Sequence, residues 1–197
     1  MTKVIVAGLT ARFPVGGNTW AYLQYVLGLK KLGYDVYYIE DSHDLLCYNP
    51  ELNMTDVECT YCANYLMTVM SSRKIDMGSK WAYRVGNQCY GMPEDEIKKL
   101  CRDTDLLVNV SGGILLDHWL DRREYENFRK KIFIDLDPGL TQFALANDPE
   151  RKTHGSRSVE MHDIHVSIGE NIGELDCGIP DCGIKWNKMR QPIVLDM

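Results

Sequence analysis

Four short runs of small and polar residues carry the groups with which this chain could bind a ligand. They are Gly16-Gly17-Asn18-Thr19, Ser111-Gly112-Gly113, Asp137-Pro138-Gly139 and Gly169-Glu170-Asn171. Glycine lets a ligand approach the main chain, and the free amides of a helix start suit an oxygen or a phosphate. Any one such run also makes a tight turn with nothing bound. Arg12 lies ahead of Gly16 and could meet an anion near that helix start, or simply be solvated. Further on, Arg151, Lys152, His154 and Arg157 could close over an acidic ligand, or form a polar, mobile surface loop. Cys59-x-x-Cys62 and Cys177-x4-Cys182 could together offer four thiolates to a structural zinc. The first pair falls in an expected helix and the pairs lie far apart in sequence, so no metal site is expected.

The elements that must position these runs read as strands alternating with helices. Val4 to Ala7 is a short apolar run, the pattern of a strand buried on both faces. Trp20, Leu23, Val26 and Leu27 are spaced for one face of a helix. Lys30 and Lys31 suit that helix's last turn and Gly33 its end. Val36 to Ile39 is the second strand. Thr55-x-x-Glu58 looks like a capping box for a second helix reaching about Ser72. Lys74 to Met92 reads as irregular, and Pro93 opens a third helix. Asp105 to Val110, Ile132 to Leu136 and Ile164 to Ile168 are further strands, with a helix from Glu124 to Lys131 and a short one from Thr141 to Ala146. Ile193 to Leu195 is strand-like. The fold class expected is α/β: one domain with a Rossmann-like, doubly wound parallel sheet. The polar runs then share the carboxyl edge of that sheet, where open α/β folds bind ligands.

Bulk properties narrow the function. The 197 residues suit one large domain, and 45% hydrophobic with 25% charged content suits a packed core. A net charge of -6 argues against a nucleic-acid partner. No apolar run is long enough for a transmembrane segment, and no secretory signal is read at the start. The 7 cysteines lie mostly in apolar or helical patterns, which suits reduced thiols and a cytoplasmic location.

A dinucleotide site is the first alternative to test. Glu40 and Asp41 end the second strand, where an acid would hold a ribose hydroxyl. The loop from Gly8 to Gly17 nevertheless lacks G-x-G-x-x-G, and its Leu-Thr-Ala-Arg-Phe-Pro-Val is too bulky for a pyrophosphate turn. It is not a Walker loop either. An NAD-dependent enzyme therefore ranks behind a plain small-molecule or nucleotide-binding module.

The stretch Val4 to Trp20, followed by Tyr22 to Asp41 with its Leu-Gly-Tyr-Asp-Val, resembles the N-terminal domain of GT-B-fold glycosyltransferases. Asp-Leu-Asp-Pro-Gly-Leu-Thr-Gln, Gly-Glu-Asn-Ile-Gly and Cys-Gly-Ile-Pro-Asp-Cys-Gly-Ile-Lys-Trp are similar to segments of a group of bacterial glycosyltransferases. The resemblance covers nearly the whole chain. It implies a two-domain enzyme in which this half binds a small-molecule or glycan acceptor. A second Rossmann-like domain would bind the nucleotide-sugar donor, so no cofactor is expected here. The second domain would begin near Gln191, making residues 186–197 a linker and the isolated chain inactive.

Inverting transfer needs a base to take a proton from the acceptor hydroxyl. Asp137 is the first candidate; a turn in which its carboxylate caps amides is the alternative. His118 is the second, although Asp117-His118-Trp119 also fits the surface at a helix start. Under the resemblance, Gly16, Gly17, Asn18, Thr19, Arg12, Ser111, Gly112, Gly113, Gly139, Gln142, Glu170 and Asn171 would contact substrate.

Overall fold

The computed structural model describes residues 1–43, 46–56, 59–117 and 122–195. The chain is α/β; among the described residues, a mostly parallel sheet of eight strands is flanked by five helices. β1 (Lys3–Ala7) is central, and Val4 to Ala7 are buried on both faces, as a continuous apolar run requires. α1 (Gly16–Lys31) packs Tyr22, Leu23, Val26 and Leu27 inward. Trp20, expected on that buried face, is 44% exposed. Gly33 takes the left-handed conformation (φ +87°) as the chain turns out of α1.

β2 (Asp35–His43) runs past the apolar segment that foretold it. Glu40 and Asp41 stay inside because they have polar partners. Asp41 Oδ2 accepts from Arg122 Nη1 at 2.9 Å and from the Tyr125 hydroxyl at 2.8 Å. Arg84, beside them, pairs with Glu124. Buried charge is tolerated when compensated in this way.

β3 (Cys47–Asn49) and β4 (Met54–Asp56) form a separate antiparallel hairpin. Thr55 lies in β4, so the expected capping box does not start the helix; α2 (Thr60–Ser71) begins after it, and Glu58 lies outside the described residues. Cys47 and Cys59 form a disulfide with Cα atoms 6.0 Å apart, which corrects the expectation of reduced thiols throughout. The stretch expected to be irregular holds β5 (Trp81–Val85) and β6 (Gln88–Gly91), an antiparallel hairpin. Buried Arg84 interrupts the apolar pattern that would have announced β5.

α3 (Glu94–Asp103) leads to β7 (Leu106–Val110). The helix expected from Glu124 is only a 3-10 turn, Arg123–Glu126, because Lys130 and Lys131 already belong to β8 (Lys130–Asp135). α4 (Leu140–Ala146) follows. α5 (His154–Glu160) occupies the stretch expected as a loop, its start capped by Thr153, whose hydroxyl accepts from Ser156 N. β9 (Ile164–Ser167) and β10 (Trp186–Lys188) complete the sheet.

The strand order is β10-β9-β8-β7-β1-β2-β5-β6, with only β6 antiparallel. Val4 and Val6 face the core under α1 and α2, while Ile5 and Ala7 face the core that includes Ile97 and Leu100 of α3. A third cluster joins Phe133, Leu145, Val159, Ile172 and Trp186. The linker expected over 186–197 starts with β10, and no strand forms at Ile193 to Leu195. That tail lies along α1: Gln191 Nε2 donates to Ala21 O at 2.9 Å and Val194 N to Gln24 Oε1 at 2.6 Å. Among the described residues, no helix is long and apolar enough to cross a membrane.

Candidate functional site

The carboxyl ends of β1, β7, β8 and β9 lie at one edge of the sheet, since these strands pair in parallel. The direction of winding reverses between β1 and β7, the usual crevice of such sheets. Here the backbone fills it. Asp41 N donates to Gly113 O at 3.0 Å. A Cβ on Gly113 would lie 2.3 Å from Gly8 N and 2.5 Å from Gly8 O. Glu40 is consumed next door: its oxygens accept from Ala11 N at 2.8 Å, Arg12 N at 2.6 Å and the Tyr38 hydroxyl at 2.9 Å. Burial raises the Glu40 carboxyl to about 7 against those three donors. The acid that would hold a ribose instead fastens the loop after β1.

One step along the rim is a cavity of about 590 Å³. Phe133, Leu140, Ala144, Leu145 and Val159 supply apolar surface, contributed by β8, α4 and α5. Arg12, Ser111, Thr141, Thr153, Ser156 and His154 supply polar groups. Ser111 ends β7 in a left-handed conformation (φ +53°). Its Oγ is buried without a well-formed hydrogen bond, the Tyr22 side chain being its polar neighbour.

His154 is held from behind. Its Nδ1 contacts Oδ2 of Asp117, a side chain only 2% exposed. Arg157 Nη2 donates to the same oxygen at 3.1 Å. Arg157 Nη2, which can only donate, also lies 3.1 Å from Nδ1. In the tautomer in which Nδ1 donates to Asp117, the ring nitrogen lone pair is on Nε2. An imidazole oriented in that tautomer could take a proton as a general base.

The loop after β7 is shaped by Asn109. Its Nδ2 donates to Ile114 O at 2.7 Å and to His162 Nε2 at 3.0 Å, and its Oδ1 accepts from Ile114 N at 3.1 Å. His162 Nδ1 donates to Ser158 O at 2.8 Å, so the ring is neutral. Burial lowers its pKa to about 4.

Of the residues expected to act, Arg12, Ser111 and Gly112 line the cavity. Gly113 is spent on contact with Gly8. Gly16 and Gly17 are exposed at the start of α1. Asn18 Nδ2 donates to Leu9 O and Phe13 O, both at 2.9 Å, and Thr19 bonds to Tyr65 at 2.7 Å. Asp137 is exposed on the rim and its amide donates to Asp135 Oδ1 at 3.2 Å. Buried Asp135 is the hub of that corner, also accepting from Thr141, Gln142 and Ser167. Gln142 is fully buried and accepts from Gly139 N at 2.6 Å, so both serve the turn into α4. Glu170 pairs with Arg190 at 2.7 Å, and Asn171 is exposed beside it. His118 lies outside the described residues.

Of the basic run, His154 lines the cavity, while Arg151 Nη1 donates to Leu145 O at 2.7 Å and Arg157 Nη1 to Lys152 O at 2.8 Å. Sequence reasoning missed Asp117 as the partner of His154. Their separation of 37 positions left no local signal. Cys59 is joined to Cys47 rather than to a four-thiolate cluster, and no such metal-binding group forms among the described residues. No protein-family model, curated protein or solved structure matches the chain.

Proposed function

We infer that this chain is the acceptor-binding half of a GT-B-like glycosyltransferase. The acceptor occupies the rim cavity, and His154 is the base, oriented by Asp117. The observation that carries this reading is the Asp117–His154 pair on the wall of a cavity whose other surface is largely apolar. His154 Nε2 takes the proton of an acceptor hydroxyl while the oxygen bonds to the anomeric carbon. The nucleotide leaves with the electrons of the broken bond, held by a second domain. The closed switch point and the buried Glu40 support an acceptor over a nucleotide here. A cytosolic location follows from a nucleotide-sugar donor. The Cys47–Cys59 disulfide is unusual for that compartment, so thiol counting on freshly purified protein bears on it.

Saturation-transfer NMR tests the reading. Hydroxylated aromatic acceptors are expected to bind the chain at millimolar concentration or below, and nucleotide sugars and NAD to show no contact. Tighter binding of either nucleotide than of any hydroxylated compound overturns it, as does sugar turnover by the chain alone with His154→Gln unaffected.

A further inference from the structure

Among the described residues that line the cavity, Arg12 is a cation with spare capacity. Arg12 Nε donates to Leu46 O at 3.1 Å and the guanidinium lies over the Phe13 ring, 5.1 Å from its centre; among the described residues, no hydrogen bond or ion pair engages Nη1 or Nη2. The nearby Glu40 carboxyl is turned to backbone amides and Tyr38. Among the described residues, no aspartate or glutamate lines the cavity. Asp117 is close, but its Oδ2 is shared by His154 and Arg157. The second polar group at this end is the Ser111 hydroxyl, buried and without a well-formed bond. A guanidinium with two unused donors and an adjacent hydroxyl match the two oxygens of a carboxylate. Burial lowers the Arg12 pKa, the cost of partial desolvation, and a bound anion would offset it. The apolar floor of Phe133, Leu140 and Leu145 suits a ring or short chain.

We propose that the cavity selects a carboxylate-bearing amphipath: an apolar body on Phe133 and Leu145, its carboxylate on Arg12 Nη1 and Nη2 and Ser111 Oγ. This rests on the cavity's being the ligand site; with the reading above, the acceptor is a hydroxy acid whose hydroxyl faces His154.

Calorimetry with hydroxybiphenyl carboxylate and its primary amide tests it. Wild type is expected to prefer the carboxylate about tenfold. Arg12→Met brings that ratio to about one while the affinity for the amide stays within about twofold, and Ser111→Ala lowers the ratio about threefold. Melting curves confirm that both variants are folded. Equal binding of the two compounds to wild type, a preference that survives Arg12→Met, or no binding of either compound overturns the proposal. Preference for the carboxylate, together with tighter binding of a nucleotide sugar or NAD than of any hydroxylated compound in the saturation-transfer experiment, upholds it and overturns the glycosyl-transfer reading instead.

Discussion

Glu40 accepts the backbone N–H of Arg12 at 2.6 Å, so a buried acid within β2 holds the loop from which the cavity's cation projects. Its carboxyl is raised from 4.5 to about 7 by burial, a difference worth about 3 kcal/mol. A folded-state pKa above the unfolded one gives stability that is present below pH 4.5 and lost as pH rises through 7. Glu40→Gln cannot accept all three hydrogen bonds and is expected to cost about 2 kcal/mol or more at pH 5. Because the variant lacks the charged form, its deficit against wild type should shrink at pH 8. Urea unfolding at the two pH values measures this, and a deficit that grows with pH contradicts it.

His162 works in the opposite direction. Its pKa falls from 6.5 to about 4 on burial, so the neutral ring stabilises the fold above pH 6.5 and this is lost as pH falls toward 4. The loss is about 3 kcal/mol. Between pH 4.5 and 6.5 the two groups offset each other, leaving the wild-type profile flatter than either alone. His162→Asn is expected to be less stable at pH 7 and to lose less on acidification. Imidazole NMR should show His162 titrating near 4.

Asn109→Leu leaves Ile114 N, Ile114 O and His162 Nε2 buried without their partner. The expected cost is about 3 to 5 kcal/mol. The loop it braces includes Ser111 and Gly112 of the cavity wall, so ligand affinity should fall with it. Asn109→Asp is the finer probe: it keeps the acceptor for Ile114 N and loses both donated bonds.

Two glycines give opposite outcomes. Gly113→Ala forces a Cβ to within 2.3 Å of Gly8 N, a backbone atom that cannot move aside. It is expected to cost more than about 3 kcal/mol or to prevent folding. Gly17→Ala meets nothing within 4 Å in the first turn of α1. It is expected to stabilise by up to about 1 kcal/mol. Melting temperatures rank the variants, and a destabilised Gly17→Ala contradicts the open surroundings.

The parallel frame was legible where a strand was apolar along its whole length, as at Val4 to Ala7, or nearly so, as in β7 with its lone Asn109. It was illegible where buried polar groups broke the pattern. β5 hid behind Arg84, and the far half of β2 behind Glu40 to His43, where the partners of Glu40 and Asp41 come from distant parts of the chain. α5 hid because two of its three inward residues are serines, Ser156 and Ser158, beside Val159. The rim glycines were visible as turns, but close approach falls to Gly8 and Gly113 rather than Gly16 and Gly17. Asp117, His154, Asn109 and His162 meet across 37 and 53 positions, and nothing local in the sequence encodes such encounters.

The Cys47–Cys59 bridge spans 12 positions, and closing a loop of that size restricts the unfolded chain by about 3 kcal/mol. It also ties the small hairpin to the start of α2, and in that hairpin Tyr48 N donates to Arg12 O at 2.9 Å. Reductant in a buffer thus becomes an experimental variable for any affinity measured at the rim: dithiothreitol would loosen the mooring of Arg12 without touching a single cavity atom.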